Sequence, residues 1–184
     1  MFRRESANRS VIVTRFETRT LRLPEVADTL RGFSDETTGK AIWVVLAPAE
    51  MLEKTLAQQF AQAEDIPVVN LNKQVAKRVR AADDYETWKM AEKAGNPDPL
   101  SRAVADAIED CVREELEDND MIFVSRSEVA LRYDVALLPT LQQHARNDKK
   151  IVVLADGDIE NEHLYIHDVE AETTAYTTII NLEK

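Results

Sequence analysis

Four short apolar runs constrain this chain more than anything else in it. They are AIWVVLA at 41–47, IPVV at 66–69, MIFV at 121–124 and IVVL at 151–154. None alternates apolar with polar residues, so each reads as a strand buried on both faces, as in a parallel sheet. Parallel neighbours need long crossovers, and the segments between the runs have helical spacing. Met51, Leu52, Leu56 and Phe60 share one face of a helix that starts at Pro48. Leu71, Val75 and Val79 mark a second helix, with Asn72 as its expected cap. Asp98 as cap and Pro99 at the first helical position open a long third helix. Its stripe is Val104, Ile108, Cys111, Val112 and Leu116. A further helical period covers 128–145, where Pro139 is expected to kink or split the helix.

Segments 164–169 and 176–182 also read as strands. The expected fold is therefore α/β: a three-layer sandwich around a mainly parallel sheet of about five strands, with a P-loop-like topology. The α/β domain spans 41–184, with a helical insertion expected at 81–99 before the break Gly95-Asn96-Pro97-Asp98-Pro99. Residues 1–40 are expected to form an N-terminal arm and a short helix. In that region 10–16 (SVIVTRF) reads as a strand or an extended arm, 24–30 as the helix and 32–39 as a loop.

Composition narrows the function classes. With 34 acidic against 23 basic residues the net charge is −11, which disfavours nucleic acid and acidic membranes unless a local basic patch overrides it. One cysteine rules out an internal disulfide framework. No apolar run approaches the length of a membrane span, and no signal-type segment follows the basic start. The expectation is a cytoplasmic protein without membrane association.

The segment after the first apolar run has the frame of a nucleotide-binding P-loop. Lys54-Thr55 stands where that motif carries its Lys and Ser/Thr, but Pro48 and Glu53 occupy the glycine places. Glycines are needed because several backbone N–H groups must close around a phosphate. Proline has no N–H to offer. A carboxylate beside a triphosphate costs on the order of a few kcal/mol at ~4 Å and intermediate dielectric. Taken alone, the pattern reads most simply as Pro48 starting an amphipathic helix, with Lys54-Thr55 there by chance. The third apolar run supplies a second test. P-loop ATPases end this strand in Asp for magnesium, and here Ser125 follows, with Glu128 as a displaced acid or a solvated helix start. Loss of phosphate and metal groups together argues for a nucleotide-free descendant. ATP and Mg²⁺ are disfavoured as cofactors, and no metal site is assigned.

Other residues are weaker candidates. Lys73, Lys77, Arg78 and Arg80 form the densest basic cluster, on the helix at 72–81. They read as a solvated face or as a surface for a partner or a phosphate backbone. His144, His163 and His167 include a pair spaced by four, but in strand-like sequence. Asp156-Gly157-Asp158 follows a strand, where open α/β sheets bind ligands, and reads more simply as a turn. Cys111 reads as core.

The order of landmarks resembles a known family. The P-loop slot, PVVNLN, MIFVSRSEVAL, LPTLQQHARN, KKIVVLADG and a tail of LYIH and AYTTIINL follow one another over 41–184. This is similar to the small BrxF-type P-loop protein of bacteriophage-exclusion (BREX) defence systems. Asn70-Leu71-Asn72 and the helix-to-IVVL step carry most of the likeness. The resemblance implies a compact ATPase-like domain working beside other defence subunits. Of its nucleotide residues only Lys54 and Thr55 have counterparts here. The expected function is a non-catalytic P-loop-like subunit of a multiprotein assembly, with other proteins as partners. The alternatives are a weak NTPase completed by a neighbouring subunit and a nucleic-acid-binding accessory protein using the basic helix.

Overall fold

The computed structural model describes residues 16–35 and 39–183. Its centre is a six-stranded sheet in which every pairing is parallel. The strands are β1 (Glu17–Leu21), β2 (Ile42–Leu46), β3 (Val68–Asn70), β4 (Met121–Ser125), β5 (Lys150–Ala155) and, last in the chain, β9 (Thr177–Leu182). Their order across the sheet is β1-β9-β2-β5-β4-β3. The four apolar runs thus become β2 to β5. Val44 at the centre pairs with Val153 on one side and Ile179 on the other.

Alternation along β2 divides the core. Trp43 and Val45 face one helical layer. That layer holds α1 (Leu23–Asp35) and a rod made of α2 (Ala49–Met51), a π-helical stretch (Leu52–Phe60) and α3 (Ala61–Ala63). Val26, Leu30 and Phe33 form the buried stripe of α1, and Leu52, Leu56 and Phe60 that of the rod. Ile42, Val44 and Leu46 face the other layer. It comprises α4 (Leu71–Ala81), α5 (Tyr85–Lys93), α6 (Asp98–Asp118), α7 (Glu128–Arg132) and α8 (Leu137–Gln142). The result is a three-layer α/β sandwich. No helix is long and apolar enough to cross a membrane among the described residues.

Several boundaries differ from expectation. The strand expected at 10–16 falls outside the described residues except for Phe16, and β1 begins directly after it. Helix α1 runs through Gly32 to Asp35, where a loop was expected, and 36–38 lie outside the described residues. Asn70 rather than Asn72 caps α4, its side chain accepting from the Lys73 N–H at 2.9 Å. Pro97 rather than Asp98 precedes α6, a one-residue shift of the kind usual at helix ends. The helical period at 128–145 is split as α7 and α8, but the break is Tyr133–Ala136 and not Pro139. Asp134 there has a φ of 54°. Pro139 sits in the first turn of α8, where its missing N–H removes no helical bond.

The chain also forms a small antiparallel sheet that was not expected. It has the order β6 (Gly157–Glu160), β7 (His163–Ile166), β8 (Val169–Glu170). Asp156-Gly157 is therefore the junction of β5 with β6 and not a turn. Two-residue turns at Asn161-Glu162 and His167-Asp168 connect the three strands, and all four residues have positive φ. This is the geometry of type I′ hairpins. Leu164 and Ile166 anchor the small sheet in the core.

Candidate functional site

In open α/β sheets ligands bind where adjacent strands send their following connections in opposite directions. Here that point lies between β2 and β5. The chain leaves β2 toward β3 on one side and leaves β5 toward β9 on the other. A crevice of 210 Å³ opens at these strand ends. Ala49, Leu52 and Glu53 of the helical rod form one wall, and Ser125 at the end of β4 with Arg126 and Glu128 beyond it form another. Asp156 and His167 close it from the small sheet.

The link from β2 to the rod is short. Only Ala47 and Pro48 separate strand from helix. The Met51 and Leu52 N–H groups already donate to the Pro48 carbonyl, at 2.9 and 3.1 Å. Residues 49–55 thus spend their backbone on helix, and no extended loop is present whose N–H groups could close around a phosphate. Lys54 is two-thirds exposed and pairs with Glu50 one turn back, at 2.7 Å. Thr55 is half-buried beside it. Neither lines the crevice. The charged residue of that turn that does is Glu53.

Glu53 is engaged across the crevice. It forms an ion pair with Arg126, whose φ of 52° turns the chain sharply at the end of β4. The Arg126 guanidinium also stands 3.7 Å from Glu128. Glu128 is held from behind: the Asn72 side-chain Nδ2 donates to it at 2.7 Å, and the Asn72 side-chain Oδ1 accepts from the Val129 N–H at 2.8 Å. The Asn72 N–H in turn donates to the Arg126 carbonyl at 2.9 Å. So Asn72 ties the start of α4 to the start of α7. His167 Nε2 is 3.9 Å from Glu128. Three carboxylates (Glu53, Glu128, Asp156) thus face one guanidinium and one imidazole, an electrostatic setting that repels an anion. Arg126 and Asn72 had no sequence signal as site residues.

The remaining candidates scatter. Lys73, Lys77 and Arg80 lie along one exposed stripe of α4. Arg78 leaves that stripe and reaches α6, where it pairs with Glu114 and donates through Nε to Cys111 Sγ at 3.0 Å. Cys111 is buried in the core, and that burial pushes its thiol above the ordinary range despite Arg78. Asp158 is exposed on β6. His163 pairs with Glu170 at 2.6 Å, at the other end of β7 from His167. Among the described residues no group of three or more His, Cys, Asp or Glu is arranged to hold a metal ion.

His144, just past α8, is a separate matter. Its Nε2 is buried with no hydrogen-bond partner among the described residues. Burial holds its imidazole below the ordinary range, with Glu109 and Asp110 opposing and Arg113 and Arg146 reinforcing the shift. The unfolded chain therefore takes up a proton before the folded one does. Stability is complete above the unfolded value of about 6.5 and is lost as the pH falls from there toward the depressed folded value. His144→Gln is expected to flatten this decline. Urea midpoints at about pH 7.5 and about pH 5.5 check it: the two midpoints should differ less in the variant than in the parent.

Comparison with protein-family models, with curated proteins and with solved structures finds no match to this chain.

Proposed function

We propose that this chain is a non-catalytic, P-loop-like subunit of an intracellular multiprotein assembly. One observation carries the reading. Where a P-loop would hold phosphate, Glu53 is clamped to Arg126 across the crevice, while Lys54 turns outward to Glu50. The crevice measures 210 Å³, below the roughly 300–1,000 Å³ of ordinary small-molecule sites. Its excess of carboxylates opposes a triphosphate. The P-loop-like frame is supported by the position of β2, whose following helix faces the ends of β4 and β5. The likeness of Asn70-Leu71-Asn72 and of the helix leading into IVVL to the BrxF-type protein suggests the setting, an antiviral defence complex in the cytoplasm. Other protein subunits are then its partners.

The test is calorimetric titration with a non-hydrolysable ATP analogue and Mg²⁺, on the parent and on Lys54→Ala. No heat of binding is expected from either. Lys54→Ala should also leave stability within about 0.5 kcal/mol, since it removes only an exposed pair. Micromolar binding that disappears in Lys54→Ala would overturn the reading. It would favour a weak NTPase that a neighbouring subunit completes.

A further inference from the structure

A groove of 590 Å³ runs between α4, α5 and α7 on the face away from α1. Its composition departs from that of the protein. On a chain of net charge −11, the groove presents Arg80, Lys89, Lys93 and Arg132. Among the described residues Arg80, Lys93 and Arg132 make no ion pair with a carboxylate, whereas Lys89 is paired with Glu86 at 3.2 Å. Lys73 and Lys77 extend the charge along α4 in line with Arg80, and they too are exposed and unpaired among the described residues. The walls are aromatic: Arg132 stacks over Tyr133 and Lys89 over Tyr85, each at 5.5 Å. The floor is aliphatic, with Val79 and Leu100.

Helix α5 shapes this groove while burying little of itself. None of its residues is fully buried, and Met90 is 63% exposed. Its Tyr85, Lys89, Glu92 and Lys93 line the groove.

We infer that this groove is a docking site for an acidic segment of another protein, one in which carboxylates alternate with aliphatic side chains. The inference deepens the subunit reading, on which it rests only in that the occupant is another protein. Unpaired cations at the rim match the carboxylates, and the tyrosine walls and aliphatic floor match the apolar side chains. A nucleic acid fits less well. Every nucleotide carries a charge, so a strand cannot avoid the lining carboxylates Glu92 and Glu128, whereas a segment that alternates carboxylates with aliphatic residues can. The net charge of the whole chain also repels a long polyanion.

Fluorescence anisotropy tests the proposal with three labelled probes of equal length. They are a peptide alternating Glu and Asp with Leu, its Gln/Asn counterpart, and single-stranded oligodeoxythymidine. The acidic peptide is expected to bind, and to weaken as salt screens the contact. The triple variant Arg80→Glu, Lys93→Glu, Arg132→Glu should bind it about tenfold or more weakly. All three positions are exposed, so circular dichroism should show an unchanged fold. The corresponding Gln variants should lose an intermediate amount. Failure to bind the acidic peptide, or equal binding of the neutral one, overturns the proposal. Tighter binding of the oligonucleotide overturns it in favour of a nucleic-acid surface. A salt-sensitive dimer of the protein alone that the triple variant abolishes overturns it in favour of a second copy. None of these outcomes depends on the nucleotide titration, which addresses the neighbouring crevice; Arg80, Lys93 and Arg132 line the groove and not that crevice, so the two readings fail separately.

Discussion

Trp43→Ala should remove about 3–5 kcal/mol of stability, the usual cost of truncating a large buried aromatic. For a chain of this size that corresponds to a fall in melting temperature of roughly 6–20 °C. Trp43 lies mid-strand in β2 and is 2% exposed. Its ring stacks on Phe33 of α1 at 4.0 Å with 15° between planes. The Arg19 guanidinium of β1 lies over the ring, 5.5 Å from its centroid. Truncation would therefore open a cavity where β1, α1 and the central strand meet. Thermal melts followed by circular dichroism measure the loss. The fluorescence of the remaining Trp88 reports whether the α5 region is untouched. A shift of less than about 1 kcal/mol would mean that α1 does not pack on the sheet as described.

Gly157→Val is the second large effect, and its mechanism is the opposite one. A Cβ at Gly157 would stand 2.1 Å from the Tyr165 carbonyl oxygen and 3.2 Å from the Ile166 Cα. Both are backbone atoms of the paired strand β7, so a side-chain rotation cannot relieve the contact. Overpacking of this kind costs about 1–3 kcal/mol. The strain should appear locally, by prising β7 from β6. Leu164 and Ile166, each 1% exposed, would lose part of their seat in the core. Hydrogen exchange should show the amides of β6 and β7 losing protection while those of β2 and β4 keep theirs. Unchanged protection in β7 would contradict the close approach at Gly157.

These two sites differ in how readable they were. β2, β4 and β5 were legible because burial on both faces leaves continuous apolar runs, and the stripes of α4 and α6 because one face of each helix is buried. The edge strand β1 was not. Its residues are exposed or half-buried, so Glu17–Leu21 carries no apolar signature, and the β-branched run before it drew the expectation upstream. The small sheet was hidden for a different reason. Its turns at Asn161-Glu162 and His167-Asp168 reach positive φ without glycine, and the single glycine nearby serves a close approach instead of a turn. At the crevice, the sequence shows Glu50 and Lys54 one turn apart, which is a sufficient cue for the outward pair. Arg126 gave no such cue, because its role depends on the left-handed turn after β4 and on Glu53 across the crevice, a contact that spacing along the chain does not encode.

The strand order has a consequence for how the molecule is made. β2, at the centre of the sheet, takes one neighbour from β5 and the other from β9, the last strand among the described residues. β1 reaches the sheet only through β9. A ribosome therefore releases the middle of the sheet long before its partners exist. Until Thr177–Leu182 emerges, an apolar strand and an early hairpin-less strand both wait with open hydrogen-bonding edges. Such non-local pairing is slow to form and exposed to wrong partners. A nascent chain of this design gains from a chaperone, or from a companion protein that covers β2 until its neighbours arrive.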